Sequence, residues 1–206
     1  MPHHRSRVTT RSSKIAELFQ SSMLAADVLS AVAVNDCTQA GRFGVSIPSN
    51  TQVVTKQGLV SAGTLRPGDR IIACGGSREI TELAYETVLS PVFNICPGVL
   101  DPTQGINLLG NQVIRIVDSR VTRLFGMNYA LVRVEDLDGL AGVTSLGMVR
   151  HISVELRLAV SDAIFVETLW LEATAGGSSF GTDPHLLTAD EARLVLTTPL
   201  PPRGVV

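Results

Sequence analysis

Few side chains in this sequence could carry covalent or proton-transfer chemistry: four histidines, three cysteines and one serine in an unusual setting. Cys37, Cys74 and Cys96 are odd in number and widely spaced, with no C-x-x-C, so neither a zinc site nor a disulfide framework is indicated. Each reads as a small buried or half-buried residue. His3 and His4 are adjacent in a basic tail, and two ligands alone make a poor metal site. His151 opens a strand-like run and reads as a surface or satisfied core residue. The acidic string Glu135-Asp136-Leu137-Asp138 lacks the ligand spacing of a calcium loop and reads as a solvated turn before Gly139. H-E-x-x-H, P-loop and G-x-G-x-x-G patterns are absent, and the lone Trp170 reads as core or interface filler. No cofactor and no metal is expected.

The serine is Ser46, at the head of SIPSNTQVVTKQGLVSAGTLRPGDRIIA (46–73). Two β-type runs there are separated by turn chemistry. Lys56-Gln57-Gly58 reverses the chain once, and Arg66-Pro67-Gly68-Asp69 reverses it again before Ile71-Ile72 returns to the core. Gly58, Gly68 and Asp69 are therefore structural turn residues, with the Asp69 carboxylate available to backbone amides.

The spacing of this block resembles the Hint family (the Hedgehog/intein fold) in its short bacterial form. That form opens Cys-Phe-x-x-Gly-Thr-x-Ile-x-Thr-x-x-Gly, against Ser46-Ile47-Pro48-Ser49-Asn50-Thr51-Gln52-Val53-Val54-Thr55-Lys56-Gln57-Gly58 here. It continues Val-x-x-Leu-x-x-Gly-Asp-x-Val/Ile, matched with one extra residue by Val60, Leu65, Gly68-Asp69 and Ile71. Looser matches follow in order: Leu89-Ser90-Pro91-Val92, Pro97-Gly98-Val99-Leu100, Leu124-Phe125-Gly126 with Ala130-Leu131-Val132 and Leu137, and Ala163-Ile164-Phe165-Val166-Glu167. The resemblance spans roughly residues 45–173.

What it implies is self-processing. In the family the first residue of the block attacks the preceding carbonyl, and a histidine in Thr-x-x-His or Ser-Pro-x-His protonates the departing nitrogen. The resemblance thus makes Ser46 the nucleophile and Val45-Ser46 the reactive bond. It also places the helper near Ile106-Asn107-Leu108-Leu109-Gly110-Asn111-Gln112-Val113-Ile114-Arg115, where Val113 stands at the histidine position. His185 ends a Thr-x-x-His string, Thr182-Asp183-Pro184-His185, but beyond the matched strands. Cys37 has no such block after it. The pattern is that of a self-processing domain with a degenerate catalytic motif.

The elements that would position these residues are mostly strands. TQVVT, DRIIA, ITELAYETVL, PVFNIC, QVIRIVDSRVT, YALVRV, RHISVELRLAV and AIFVETLWLEA are separated by Gly, Pro, Asn or Asp. Residues 13–34 have helical periodicity, and Thr188 with Glu191 forms a capping box before a short helix. The expected fold is mainly β: a Hint-like compact β domain with an N-terminal helix and a short C-terminal helix plus extended arm. Residues 1–40 would be a basic arm and amphipathic helix, 41–173 the β domain, and 174–206 a linker, helix and Pro-rich arm.

Aliphatic side chains must build the core, since 45% of residues are hydrophobic but only 4% aromatic. A formal net charge of −2 gives no argument for nucleic acid. Arg5, Arg7, Arg11 and Lys14 stand in the first fourteen residues without an acid. Neither a signal peptide nor a membrane span is read, because Glu17, Gln20 and Asp27 interrupt the apolar stretch. The expected function is non-enzymatic: a structural subunit of a homo- or hetero-oligomeric assembly such as a phage particle. Its contacts would be made by the basic arm and by the arm containing Pro201 and Pro202. The alternative is autoprocessing at Val45-Ser46.

Overall fold

The computed structural model describes residues 43–100, 105–175 and 185–198. The sequence-predicted N-terminal helix, the arms at Arg5–Lys14 and Pro201–Pro202, Cys37, and the Thr182–Pro184 part of the histidine string lie outside the described residues.

Twelve strands run in chain order: β1 (Phe43–Pro48), β2 (Gln52–Thr55), β3 (Gly58–Ser61), β4 (Arg70–Ala73), β5 (Gly76–Ile95), β6 (Ile106–Leu109), β7 (Val113–Ile116), β8 (Ala130–Arg133), β9 (Val143–Leu158), β10 (Ala163–Val166), β11 (Leu169–Glu172) and β12 (Thr174–Ala175). Two short α-helices, α1 (Ser119–Phe125) and α2 (Ala189–Thr197), complete the described residues with 3-10 turns at Ala62–Thr64 and Val134–Leu137. The strands hydrogen-bond in the order β12-β1-β9-β5-β4-β2-β10-β11-β7-β8, with β3 added to β2 and β6 to β5. The pairings between named strands are antiparallel.

The backbone of this arrangement is the β5–β9 ribbon. β5 is 20 residues long and continues through Pro91, so ITELAYETVL and PVFNIC are one strand rather than two. Pro91 is tolerated because its missing N–H lies on the side away from β9; its carbonyl, on that same side, accepts from the Gly110 N–H at 2.9 Å. Conversely, AIFVETLWLEA is two strands, β10 and β11, folded at Glu167, whose φ of 52° is the left-handed conformation a tight reversal requires.

The run QVIRIVDSRVT was expected to be strand throughout, and its second half is helix instead. Asp118 caps α1 by accepting from the Arg120 N–H at 2.7 Å, and Gly126 closes it with φ 71°. These two end signals override the β-branched Val121 and Thr122 between them. At α2 the capping box is present: Thr188 and Glu191 bond each other's backbone N–H.

The two helices are joined by Arg120. Its guanidinium grips the Asp118 carboxylate with two bonds of 2.9 and 2.8 Å, and Nη1 donates to the Leu196 carbonyl at the C-terminal end of α2. A cation there complements the orphan carbonyls of the last turn. The Arg120 hydrogen bonds hold the Asp118 carboxyl below its ordinary range. A depressed carboxyl stabilises the fold above its unfolded-state pKa and loses that contribution as pH falls through the folded one. Asp118→Asn keeps the cap but not the charge. It should lower unfolding free energy by about 1 kcal/mol at neutral pH. In urea titrations the difference from wild type should shrink below the ordinary carboxylate range.

Candidate functional site

Ser46 lies in the middle of β1, directly opposite Glu155 of β9. Its neighbours Val45 and Ile47 are buried in the core, so strand alternation turns the half-buried Ser46 side chain to the other face. That face carries Glu155 and Arg157, joined at 3.2 Å, with Glu82 reaching Arg157 at 3.5 Å. The one carboxylate directly across from the hydroxyl is therefore already engaged by a guanidinium.

The backbone direction matters more than the side chain. The Ser49 N–H donates to the Ile152 carbonyl at 2.9 Å, which sets the phase of the β1–β9 ladder. Backbone groups two and four residues earlier, on Ile47 and Val45, point the same way. The carbonyl that a Ser46 hydroxyl would have to attack is thus turned to β9 and opposite Leu156. Those of Ser46 itself point to the opposite side.

That side is occupied by Gln112, at the turn between β6 and β7. Gln112 is 5% exposed, and its amide has two unambiguous partners. Oε1 accepts from the Leu109 N–H at 2.7 Å, and Nε2 donates to the Ser46 carbonyl. A backbone N–H can only donate and a carbonyl can only accept, so the amide has one orientation. The turn is fixed in place: the Gly110 and Gln112 carbonyls accept from the Glu135 and Val134 N–H groups at 3.0 and 2.9 Å. Gly110 fits closely there: a Cβ would approach the Pro91 and Phe93 side chains at 3.1 and 3.2 Å.

Proton donors for the leaving nitrogen are missing among the described residues near Ser46. Val113 is buried in β7 opposite Arg133. His151 shares a strand with Glu155 but stands four residues earlier, about 13 Å along β9; its Nδ1 is 3.1 Å from the Val149 carbonyl. His185 contacts Glu191 at 3.2 Å and the Phe125 ring at 5.5 Å, at the edge of β8 and α2. Neither histidine is brought to Ser46. Gln112 is a hydrogen-bond donor but not an acid.

The turn residues Gly58 and Gly68 have φ of 119° and 93°, conformations that favour glycine, and Asp69 accepts from the Arg66 N–H at 2.8 Å. They shape the β2–β3 hairpin and the approach to β4, and touch no reactive group.

A second polar cluster joins the β4–β5 turn, β5, β7, β10 and β11. Asp162 accepts from Arg78 at 2.7 Å and from the Gly75 and Ala163 N–H groups; Arg115 makes a two-pronged pair with Glu172 and stacks over Tyr129 at 4.4 Å. Burial raises the Glu172 carboxyl against the pull of Arg115. Burial also raises the Cys74 thiol, although Arg115 opposes it. A thiol so placed is a weak nucleophile, and the paired charges around it are satisfied structural groups. Neither this cluster nor Gln112 was anticipated; the alternation in ISVELRL does put Ser153, Glu155 and Arg157 on one face.

No family model matches the chain, and no curated protein matches it. Among solved structures, the crystal structure of the MchDnaB-1 intein is similar at a TM-score of 0.38 and 13% identity, over 62% of this chain and 99% of that one. A second, the Msm DnaB1 intein splicing domain bound with zinc, is similar at 0.29 and 14%, over 58% and 86%. Both are inteins. Among the described residues the fold of this chain is a mainly antiparallel β domain with two short helices.

Gln112→Leu leaves the Leu109 N–H and the Ser46 carbonyl without their partner. Each such buried group costs about 1–3 kcal/mol. A drop in chemical-denaturation midpoint is expected, together with a loss of hydrogen-exchange protection at Leu109. An unchanged midpoint would show that the bridge does not hold β1.

Proposed function

We propose that this chain is a non-catalytic Hint-like module that serves as a structural or interaction subunit in a larger protein assembly. The observation that carries the reading is the Gln112 bridge to the Ser46 carbonyl. Acyl transfer at Val45-Ser46 needs a carbonyl open to attack by the Ser46 hydroxyl and an acid for the leaving nitrogen. Here the Val45 carbonyl faces a ladder partner, neither described histidine is brought to Ser46, and the side chain bonded to the Ser46 carbonyl is a neutral amide. General acid–base assistance is worth about two to four powers of ten in rate, and a serine hydroxyl depends on it more than a thiol does. The proposed assembly role keeps the basic arm (Arg5, Arg7, Arg11, Lys14) and the segment holding Pro201 and Pro202 as further contact elements. A particle component, as of a phage, is one setting that suits such a subunit.

The test is denaturing mass spectrometry of the purified chain before and after hydroxylamine, which cleaves esters but spares ordinary peptide bonds under mild conditions. A single full-length mass in both samples, and in Ser46→Ala, is expected. Fragments divided between Val45 and Ser46, and abolished by Ser46→Ala, would replace this reading with autoprocessing.

A further inference from the structure

The β5 strand carries an open edge. β4 covers its start as far as Glu79, and β6 covers its end from Val92. Further backbone bonds close the edge at both margins. Ile80 exchanges bonds with Gly68 and Asp69, and the Pro91 carbonyl accepts from Gly110. Between them, among the described residues, no strand pairs with the outer side of β5.

The phase of this segment follows from bonds already described. The Pro91 carbonyl points outward, so the backbone groups of Leu89, Thr87, Tyr85 and Leu83 do as well. The other side of the ribbon agrees: Ile152 faces β1, which leaves His151, Ser153 and Glu155 facing β5 opposite Val88, Glu86 and Ala84. Four successive outward residues thus present N–H and C=O groups that no described strand pairs.

Proteins usually blunt such an edge with a bulge, a proline or an inward charge. β5 has a bulge between Ile80 and Glu82 and a proline at 91, which bracket the segment without interrupting it. The outward residues also carry an apolar face. Tyr85 and Leu89 are 53% and 57% exposed, and Ile152 and Met148, opposite Thr87 and Pro91 on the same face, are 51% and 60% exposed. The Tyr85 hydroxyl donates to the Leu65 carbonyl at 3.2 Å, which holds its ring in place while leaving it uncovered.

We propose that the outer edge of β5 pairs antiparallel with the same edge of a second copy of this chain, about a two-fold axis at Thr87. The choice of a second copy rests on self-complementarity. Placing Thr87 opposite Thr87 sets Tyr85 opposite Leu89 of the other copy, and the reverse. All three pairs join outward groups to outward groups, so each is a doubly hydrogen-bonded pair. Ring and aliphatic side chains meet on one face, and the next position, Leu83 opposite Pro91, ends the ladder because proline has no N–H. On the other face Glu86 meets Val88 rather than a second carboxylate. The apolar row then runs unbroken from Ile152 through both Thr87 residues to the second Ile152. The pairing gives the assembly reading a named partner, and it is tested separately: intact mass reports on self-processing, oligomeric state on the edge.

The experiment uses the full-length chain. Light scattering across a concentration series is expected to show a monomer–dimer equilibrium. Thr87→Pro should abolish the dimer while leaving the folded signal intact, since the N–H it removes points away from β9; Leu89→Lys should do the same. T87C should give a disulfide-linked dimer on mild oxidation, because doubly hydrogen-bonded pairs hold Cα atoms about 5.5 Å apart, within disulfide reach. E86C, on the opposite face and out of register with itself, should not. A monomer at every concentration, a dimer that T87C fails to trap, or equal trapping by E86C would each overturn the proposal.

Discussion

The alternation of backbone direction along β1, β9 and β5 is the constraint on which the rest of the structure depends. In an antiparallel ladder each residue gives its N–H and C=O to one side only, and one observed bond fixes the side for the whole strand. The Ser49–Ile152 bond does this for β1 and β9, and the Pro91–Gly110 bond does it independently for β5. The two agree across the register. The Val45 carbonyl turned to β9, the Ser46 carbonyl turned away from it and the outward backbone groups of Thr87 all follow from the same phase.

Gln112 shows how a polar side chain can complete such a lattice. The turn after β6 brings it against β1, and its two amide atoms satisfy one donor and one acceptor that would otherwise be buried without partners. A histidine would meet those same two groups with ring nitrogens whose roles change with protonation. An amide cannot change, which makes the contact a fixed joint. Among the described residues the polar side chain at this joint supplies hydrogen bonds and no acid, so the contact serves architecture rather than proton transfer.

Local chemistry was legible in the sequence. Lys56-Gln57-Gly58, Arg66-Pro67-Gly68-Asp69 and the Thr188–Glu191 box declare turns and a helix start through groups a few residues apart. The helix at Ser119–Phe125 could have been read from Asp118 and Gly126, cap residues eight positions apart, had the β-branched run between them not suggested a strand. Gln112 was not legible. Its partner is 66 residues away, and its role exists only because β1 turns one carbonyl and not its neighbour toward it. The same holds for Arg115 and Glu172, which come into contact only when β7 is laid beside β11.

The seam of charges around Asp162 has a consequence for how the domain moves. Gly75 sits in an exposed turn between β4 and β5, where an amide would ordinarily exchange with solvent through small local openings. Its N–H is bound instead by a 7% exposed carboxylate that also anchors Arg78 and the first amide of β10. Opening the turn would take one of its partners from a buried carboxylate, so this reversal resists the small openings that its exposure would otherwise permit.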